Sequence, residues 1–545
     1  MLKITTSRTG KTTALLNGVR LHSSYDPVRE AERFIKERLK GEKPAVILLL
    51  GAGLGYIIQA IQHYFPYARV VPVFYSREVS SHSSRLVSSY WHPGLNQTLL
   101  SFLREEIPEL DSEGLEIIEW PASARLFPDI SRTAHLAASQ LLKEHRGSLL
   151  TTVSVGKRWI QNSFINFVSI NSTLCEPSLP FSLPILIAAS GPSLERSAGL
   201  ITRYRDRLFL ISVPSAVFFL LENGLKPDLV IMTDPSFYAV YHLHPATGNK
   251  LKLAMPLSAA TGTWRIPADI YLISQENFFE RALLAQAGFK APAIPPQGTV
   301  TATAMELALG LSSREVILTG LDLCYEDLRS HVRPNAFEFF LLGSVDRLHP
   351  FRSLMYARAV DSAPNILSRT TQPIRSGTAL ETYAGWFSGL NKERKARIFR
   401  LNPAAVKIPG MCEMHPQALD RFLRDFKSSE LKSYFVKRPQ YPGIRKRTRI
   451  ALSLLSDWDH RVGRTMDCLC RDNNLKFFTA ENLQVGLAYY VDPVSLTEIK
   501  KALRLEGEKK AVQKTLALLE KERQFLRLLS RKIEQIEANG RKINP

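Results

Sequence analysis

The sequence contains few cysteines, and they are widely separated. The five lie at Cys175, Cys324, Cys412, Cys468 and Cys470. Because so few thiols cannot form a disulfide framework, the fold must be stabilised by packed cores. Only one residue separates Cys468 from Cys470, but no second Cys or His pair follows at zinc-finger spacing. We therefore expect no bound metal.

Long apolar segments are also absent from the sequence. It has no run of about eighteen uncharged apolar residues, which is the length that crosses a bilayer as a helix. Its first residues lack the apolar core of a signal peptide. We therefore expect no membrane span and a location in the cytoplasm.

Acidic residues are fewer than basic residues. Lys and Arg together number 71 and Asp and Glu 51, which gives a formal net charge of +20 at pH 7. Such a charge indicates acidic partners, among them nucleotides, nucleic acid, a membrane surface or an acidic protein. It does not select one of them.

The composition is that of a globular protein with several domains. Hydrophobic residues make up 45% and charged residues 22% of the 545 residues, and a chain of this length is too long for one core. Alternating strand and helix patterns predict two Rossmann-like α/β domains followed by a mainly helical C-terminal domain. We place an N-terminal domain with an initial β-hairpin at 1–176, a central domain at 177–405 and the helical domain at 406–545.

Two glycine turns near the N-terminus resemble nucleotide-binding motifs but depart from them. Gly10-Lys11-Thr12 looks like the end of a P-loop, yet Thr5 stands where the motif requires a glycine, so we interpret this turn as a β-hairpin. The turn Gly51–Gly55 follows a buried strand and opens a helix. Its spacing is GxGxG, and the next strand ends in Tyr75-Ser76-Arg77, without the acidic residue that binds a ribose. We therefore favour a tightly packed scaffold turn there over a ligand site.

The N-terminal domain is predicted to end in two helices. Their apolar patterns cover 134–145 and 157–170, and the second carries Asn162 and Asn166. Residues 177–184 then have the composition of a linker.

The central domain contains a turn with the sequence features of a phosphate site. An apolar strand at 185–189 ends in Ser190-Gly191-Pro192-Ser193, and a helical pattern begins at Leu194. Gly191 lets the backbone approach a ligand, and the first N–H groups of the helix point toward an anion in front of them. The alternative is an ordinary turn between a strand and a helix of a parallel sheet.

Further polar residues follow other strands of this domain or begin its helices. Asp234 follows a strand at 229–233, and Thr299 precedes a helix. A strand at 316–319 leads to Asp322 and Tyr325, and then to His331. Because open α/β sheets bind ligands at the carboxyl ends of their strands, we expect these residues to converge on one site. Asp234 and Asp322 are alternatively helix caps or structural hydrogen-bond acceptors, and Tyr325 a packed aromatic.

The C-terminal region is basic and helical. Residues 432–449 contain seven basic residues, no acidic residue and several aromatics. This combination suits single-stranded nucleic acid, but a linker or a contact with an acidic protein is at least as consistent with it. Residues 496–536 have near-heptad leucine and isoleucine spacing, which predicts an amphipathic helix or a helical hairpin.

The ordered set of central motifs resembles the motility accessory factor (Maf) family of flagellin glycosyltransferases. The motifs are SGPSLE at 190–195, MTDPSF at 232–237, QGTVTATAMELALGL at 297–311 and TGLDLCYEDLRSH at 319–331. HSSYDPVREAERFI at 22–35, LLGAGLGY at 49–56 and RWIQNSFINF at 158–167 are similar to the first domain of that family. The resemblance covers about residues 1 to 400.

This resemblance implies a central domain related to bacterial sialyltransferases. Such enzymes use CMP-activated nine-carbon acidic sugars and need no obligatory metal or further cofactor. The implied reaction transfers a sugar of the pseudaminic or legionaminic acid type to Ser or Thr hydroxyls of flagellin, the protein partner, and supports flagellar assembly and motility. Nucleic acid is not expected as a partner.

The resemblance also implies roles for individual residues. Gly191, Pro192 and Ser193 would contact the donor phosphate, Asp322 and Tyr325 would lie beside it, and His331 would be the general base. These sialyltransferases carry Asn where this sequence has Ser190, so recognition of the cytidylate is expected to differ. We add Asp234 and Thr299 to the donor site because of their positions in the pattern.

The role of His331 agrees with general chemistry. Removing the proton of an acceptor hydroxyl needs a base that titrates near neutrality, and the ordinary pKa of histidine is about 6.5. The alternative is a surface histidine paired with Asp327 or Glu326. We favour the catalytic role because the loop follows a buried strand.

Two other functions remain open. The central domain also looks like archaeal enzymes that transfer a diphosphate from ATP to a hydroxymethyl pterin, and a non-catalytic nucleotide- or protein-binding protein is the third possibility. The long N-terminal domain and basic C-terminal region are superfluous for a small pterin, whereas they suit an acidic protein acceptor.

Overall fold

The computed structural model describes residues 2–543 apart from several short segments. Those segments are 17, 176–182, 263–265, 368–373, 391, 402–405, 425, 427–434, 436–440, 473–474 and 476–483. The chain divides into two compact units. The N-terminal unit is Met1–Gly156 with Trp458–Leu526, and the central unit is Lys157–Asp457 with Arg527–Pro545. The three predicted domains divide the chain differently, and that division stays a prediction.

The N-terminal unit contains two small sheets and their helices. An antiparallel sheet consists of β1 (Leu2–Thr6), β2 (Thr12–Leu16) and β3 (Val19–Arg20), which confirms the predicted hairpin. A parallel sheet has the order β5-β4-β6, with β4 (Val46–Leu50) buried at its centre. The other elements are α1 (Pro27–Arg38), α2 (Tyr56–Tyr64), β5 (Arg69–Val73), α3 (Arg77–Ser80), α4 (Leu99–Glu106), β6 (Leu115–Glu119), α5 (Pro121–Leu126), α18 (Gln484–Val491) and α19 (Pro493–Leu505).

Three long helices contribute residues to both units. They are α6 (Pro128–Ser169), α17 (Ile444–Asp472) and α20 (Glu508–Ile543). The prediction of two helices at 134–145 and 157–170 is therefore wrong, because both belong to α6. No proline interrupts residues 146–156, and the helix tolerates the glycines at 147 and 156.

The central unit is built on an eight-stranded sheet in which every neighbouring pair is parallel. Its order is β11-β10-β9-β8-β7-β12-β15-β16. The strands are β7 (Ile185–Ala188), β8 (Phe209–Ser212), β9 (Leu229–Ile231), β10 (Leu251–Met255), β11 (Ala268–Leu272), β12 (Val316–Thr319), β15 (Ile398–Leu401) and β16 (Cys412–Met414). The order reverses between β7 and β12, and such a reversal opens a crevice at the carboxyl ends of the two strands.

Helices flank this sheet, and a short antiparallel pair is inserted before β15. The helices are α7 (Leu194–Arg203), α8 (Pro214–Glu222), α9 (Phe237–Leu243), α10 (Phe278–Gln286), α11 (Val300–Leu311), α12 (Ala336–Leu342), α13 (Phe351–Ser362), α14 (Thr378–Ser388), α15 (Lys392–Lys395) and α16 (Pro416–Arg424). The inserted pair is β13 (Asn365–Leu367) with β14 (Ile374–Ser376).

Strand β7 shows why this sheet needs both helical layers. All four of its residues are buried, but they enter two different cores. Ile185 and Ile187 pack in the core that includes α11, whereas Leu186 and Ala188 pack in the core that includes α7 and α16. Successive strand residues face opposite sides, so a continuous apolar run such as this one requires cover on both faces.

The C-terminal region is helical, as predicted. The predicted helical pattern at 496–536 corresponds to two helices, α19 and α20, which are separated at Gly507. The φ of Gly507 is 94°, a value that glycine adopts readily. Leu519, Leu526, Leu529 and Ile533 are buried. The fold class predicted from the sequence is thus confirmed. No helix in the described part of the chain has the length and apolarity that crossing a membrane requires.

Candidate functional site

The Ser190–Ser193 turn lies at the reversal of strand order, at the end of β7. The N–H of Gly191 donates to the carbonyl of Gly320 at 2.7 Å, and the N–H of Ser193 donates to Asp322 Oδ2 at 2.7 Å. The Ser193 hydroxyl donates to Asp322 Oδ1. The N–H groups that we expected to face a phosphate therefore bind the loop after β12 instead. Pro192 has no N–H to add.

Asp322 is only 3% exposed, and its position depends on a buried arginine. Burial raises the pKa of the Asp322 carboxyl, while the bonds from Ser193 and the charge of Arg400 oppose that rise. Arg400, on β15 and 1% exposed, donates from Nε and Nη2 to the carbonyl of Leu321 at 2.9 and 2.6 Å. We did not predict Arg400. A single arginine inside an apolar strand was the available signal, because such a side chain needs buried acceptors.

The loop that carries His331 is fastened to the first turn of α7. Glu195 Oε1 accepts from Arg329 Nη1 at 2.7 Å and from the N–H of Arg333 at 3.1 Å. The N–H of Val332 donates to the carbonyl of Ser190 at 2.7 Å. Glu195 therefore holds residues on both sides of His331, and the SGPSLE motif positions the loop.

His331 itself is half-buried and is not paired with an acidic residue. Its Nδ1 lies 2.7 Å from the hydroxyl of Ser330, and no described residue hydrogen-bonds to its Nε2. The Glu326 carboxylate accepts instead from Arg196. The structure thus differs from the alternative in which Asp327 or Glu326 pairs with this histidine, and it leaves one ring nitrogen open to a substrate.

Three other side chains surround His331. The ring of Phe337 lies 5.2 Å from the His331 ring and 4.4 Å from the ring of His242, between centroids. The two histidine rings are stacked with centroids 6.3 Å apart. Arg358 Cζ lies 4.5 Å from the centroid of Phe337. His242, from α9, and Arg358, from α13, were not predicted, because nothing in their local sequence connects them to His331.

Both histidines are held in the neutral form at pH 7. Burial, together with smaller effects of the nearby His242 and Arg358, lowers the pKa of His331 to about 3. Burial lowers the pKa of His242 to about 4, with Asp234 opposing and Arg358 adding to the shift. A neutral imidazole can accept a proton, but one with so low a pKa is a weak base.

Asp234 and Thr299 contribute to helix starts or turns at the same end of the sheet. Asp234 is exposed, and its Oδ1 accepts from the N–H of Ser236 at 2.7 Å. Thr299 Oγ1 accepts from the N–H of Ala302 at 3.0 Å and so caps α11. Both side chains therefore accept hydrogen bonds from the backbone, but only Thr299 caps a helix, because the Asp234 bond closes a turn before α9.

Tyr383, on α14, lies close to Gly298, just before the start of α11, and near Asp234 in the loop after β9. A Cβ added at Gly298 would lie 3.7 Å from its ring. Burial raises the pKa of the Tyr383 hydroxyl, and the charge of Asp234 adds to that rise. This hydroxyl is a second candidate donor that the sequence did not single out.

Tyr325 is packed by its side chain and paired by its backbone. Its N–H donates to the carbonyl of Arg375 at 2.8 Å, and its ring packs against Ala359 and Ala363. With His331 it lines a cleft beyond the end of β12. The full lining is Tyr325, Leu328, Arg329, Ser330, His331, Asn335, Phe337, Glu338, Leu341, Met355 and Arg358.

Two buried asparagines of α6 hold the loops after β9 and β10. Asn162 Nδ2 donates to the carbonyls of Pro235 and Ser258, at 3.0 and 3.3 Å. Asn166 Nδ2 donates to the carbonyls at positions 257 and 259, both at 2.8 Å. The RWIQNSFINF motif therefore fixes the loop that begins at Asp234.

The glycine turn of the N-terminal unit is filled by side chains of its own unit. The N–H of Leu54 donates to His22 Nε2 at 3.0 Å, and the Ser123 hydroxyl donates to the carbonyl of Gly51 at 2.8 Å. A Cβ at Gly53 would overlap the His22 ring. The packing agrees with our interpretation of a scaffold turn.

The described residues form no metal-binding cluster, either around His331 or at the glycine turn of the N-terminal unit. Among residues 2–543, outside the segments left undescribed, no group of three or more His, Cys, Asp or Glu side chains could hold a metal ion.

Comparisons with known proteins connect this fold to two groups. Residues 157–328 match the family model described as 6-hydroxymethylpterin diphosphokinase MptE-like. The whole chain is similar in fold to the structure of the Maf glycosyltransferase from Magnetospirillum magneticum AMB-1. The TM-score is 0.59 at 14% identity, and the match covers 99% of this chain and 92% of that one. Both resemblances predicted from the motifs are thus confirmed, the second at the level of fold.

One protein of similar sequence has a description that states no function. An uncharacterized protein of Treponema pallidum (strain Nichols) is 28% identical over 315 residues, which is 56% of this chain. The match spans 64% of the length of that relative.

Proposed function

We propose that the protein is a glycosyltransferase that moves an acidic nine-carbon sugar from a CMP-activated donor to Ser or Thr hydroxyls of flagellin. The observation that carries this proposal is His331. Its ring is neutral, its Nε2 is open, and its loop is fastened at the crevice where the strand order reverses. A general base in this position suits the transfer of a group to a hydroxyl.

In the proposed reaction, His331 acts on the acceptor hydroxyl, and other groups stabilise the phosphate that leaves. The acceptor hydroxyl gives its proton to His331 Nε2 as its oxygen bonds to the anomeric carbon of the sugar. The bond from that carbon to the phosphate oxygen breaks, and CMP leaves. The developing phosphate charge needs donors already in place, and the Tyr383 hydroxyl and the N-terminus of α11 after Thr299 supply them.

The pterin diphosphokinase is the second candidate, and the family match at 157–328 favours it. That match includes the 190–193 turn, Asp234, Thr299 and Asp322, but it ends before His331. The fold similarity to a glycosyltransferase extends over 99% of the chain. The first candidate therefore accounts for more of the protein, including the loop with the open histidine.

Ligand-dependent stability separates the candidates. With CMP at about one hundred times its Kd, we expect the free energy of unfolding to rise by about 2.7 kcal/mol, because CMP binds only the folded chain. ATP with magnesium and a hydroxymethyl pterin should have little effect. Thermal unfolding with each compound measures this. Stabilisation by ATP and the pterin but not by CMP would assign the diphosphokinase activity instead, and no stabilisation by any of them would contradict both.

The acceptor is proposed to bind through the basic C-terminal region. Of the predicted basic stretch, Lys432, Lys437 and Arg438 lie outside the described residues. Arg447 is buried and donates to the carbonyl of Phe167, so it is structural. Arg445, Lys446 and Arg449 are exposed on α17. Within the described part of the basic stretch, these three residues are the cations exposed to an acidic protein.

Charge reversal of these three residues tests that role. The triple variant Arg445→Glu, Lys446→Glu, Arg449→Glu should lower retention of flagellin in a pull-down by about tenfold at low salt, with CMP binding unchanged. Reversing the exposed Lys3, Lys11 and Arg20 is the matched control. Equal retention by both triple variants would contradict the assignment. Truncation at Cys412 is unsuitable, because it removes α16, whose leucines are part of the central core.

A further inference from the structure

Arg358 has no acidic partner although it lies in a cleft with charged neighbours. Its guanidinium lies over the Phe337 ring, and no described residue forms an ion pair with it. The other arginine of the cleft, Arg329, is paired with Glu195 at 2.7 Å. The acid of the cleft, Glu338, is paired with Arg333. Arg358 is therefore a cation whose position is fixed by an aromatic ring and whose charge is left unbalanced.

His242 offers a second unused group, which packs against Phe337 without lining the cleft itself. It is 7% exposed, and its Nδ1 is buried without a hydrogen-bond partner. Leaving a buried polar atom unpaired costs about 1 to 3 kcal/mol, so such an atom indicates a missing partner. The His242 ring packs nearly perpendicular to the same Phe337 ring that Arg358 covers. Two nitrogen groups without acceptors thus meet around one aromatic side chain beside His331.

We propose that Arg358 and His242 form an anion subsite next to His331, and that its occupant is an oxyanion of the donor. A guanidinium binds a carboxylate or a phosphate through two parallel hydrogen bonds, and a partly desolvated cation without a counter-charge favours such a partner. The donor proposed above carries both kinds of anion, the carboxylate of the sugar and the phosphate of CMP. The identity of the anion rests on that proposed function, whereas the subsite rests on the geometry.

Anion binding would also offset the electrostatic part of the shift that lowers the pKa of His331, although burial is the larger cause. Three groups face its ring from packed elements: His242 from α9, Arg358 from α13 and the neutral Phe337 from α12. Asp234 acts on His242 from the loop after β9. A negative charge beside Arg358 offsets the cation that lowers the pKa of both histidines. His331 then becomes a stronger base only when the donor is present.

Calorimetry with three probes tests the subsite and identifies the anion. The probes are CMP, CMP-N-acetylneuraminate and the methyl ester of the latter, in which the carboxylate is neutral. If the sugar carboxylate is the occupant, the parent should bind the acid about tenfold more tightly than the ester, and Arg358→Gln should abolish that ratio without changing CMP affinity. If the phosphate is the occupant, Arg358→Gln should weaken all three by the same factor.

Arg352→Gln is the matched control, because Arg352 lies on the same helix, is exposed and does not line the cleft. The subsite is disproved if Arg358→Gln changes no affinity by more than Arg352→Gln does. Failure of the parent to bind any of the three probes would instead contradict the proposed function.

A histidine titration tests the subsite even without the donor. In NMR spectra of ¹³C-histidine-labelled full-length protein, inorganic phosphate should raise the pKa of His331 and His242, and Arg358→Gln alone should raise both because the cation is removed. Titration curves that respond to neither change would overturn the proposal.

Discussion

Replacing His331 by alanine should lower the rate of sugar transfer by about two to four orders of magnitude, the usual contribution of a positioned base. Donor affinity should change little, because the proposed contact of His331 Nε2 is with the acceptor hydroxyl. Transfer is measured by intact-protein mass spectrometry of flagellin, and donor affinity by calorimetry. Ser330→Ala is a useful companion, since it removes only the hydroxyl at Nδ1 and should have a much smaller effect.

The pH dependence of the parent follows from the low pKa of His331. The pH dependence of kcat/KM reports groups of the free enzyme, so the change caused by His331 should occur near pH 3. Titration of His331 should therefore cause no change in kcat/KM from about pH 5 to 8. The limb of kcat reports the donor complex and should lie at higher pH if an anion binds beside Arg358. A histidine with the ordinary pKa of about 6.5 would give a limb near that pH, and burial of the ring lowers it.

Near-parental transfer by His331→Ala would assign the base to another residue. Asp234 would then be the first to examine, because its carboxylate is exposed. Asp322 is a poorer candidate, since both its oxygens accept hydrogen bonds from Ser193.

Gly191→Ala should destabilise the central unit by about 2 to 4 kcal/mol and abolish CMP binding. An added Cβ would lie 2.5 Å from Asp322 Oδ2 and 2.5 Å from the carbonyl oxygen of Gly320. Neither atom can withdraw easily, because one belongs to a buried carboxylate and the other to the backbone. The sequence alone predicts only that a side chain at Gly191 would block the approach of a ligand. The structure indicates that it would separate the turn from the loop after β12.

Gly199→Ala provides the control for this substitution. Gly199 lies within α7, only two turns away, and a Cβ there meets nothing within 4 Å. We expect a stabilisation of up to about 1 kcal/mol, the helix-propensity difference between the two residues. Urea unfolding of both variants measures the difference. Equal stability would mean that the 190–193 turn relaxes around the added methyl group without losing its contacts to Asp322.

The sequence by itself determined the class of fold and the place of the candidate site. Buried strands at 185–188 and 316–319 were recognisable because an apolar run followed by Gly, Pro or Ser is a local signal. The N-terminal hairpin and the helices of the C-terminal region were predicted for the same reason. Each of these depends on residues within about ten positions of one another, where backbone preference and periodicity act directly.

Tertiary structure alone decided what the site residues contact. Asp322 binds the turn 129 residues earlier in the chain, and Arg400 reaches Leu321 from another strand. His242 and Arg358 meet at Phe337 from helices that no local pattern connects. The pKa of His331 depends on this burial and on these neighbours, so its type predicts only the ordinary value. Such contacts arise because strand order, which is set by packing across the whole sheet, brings distant loops to one edge.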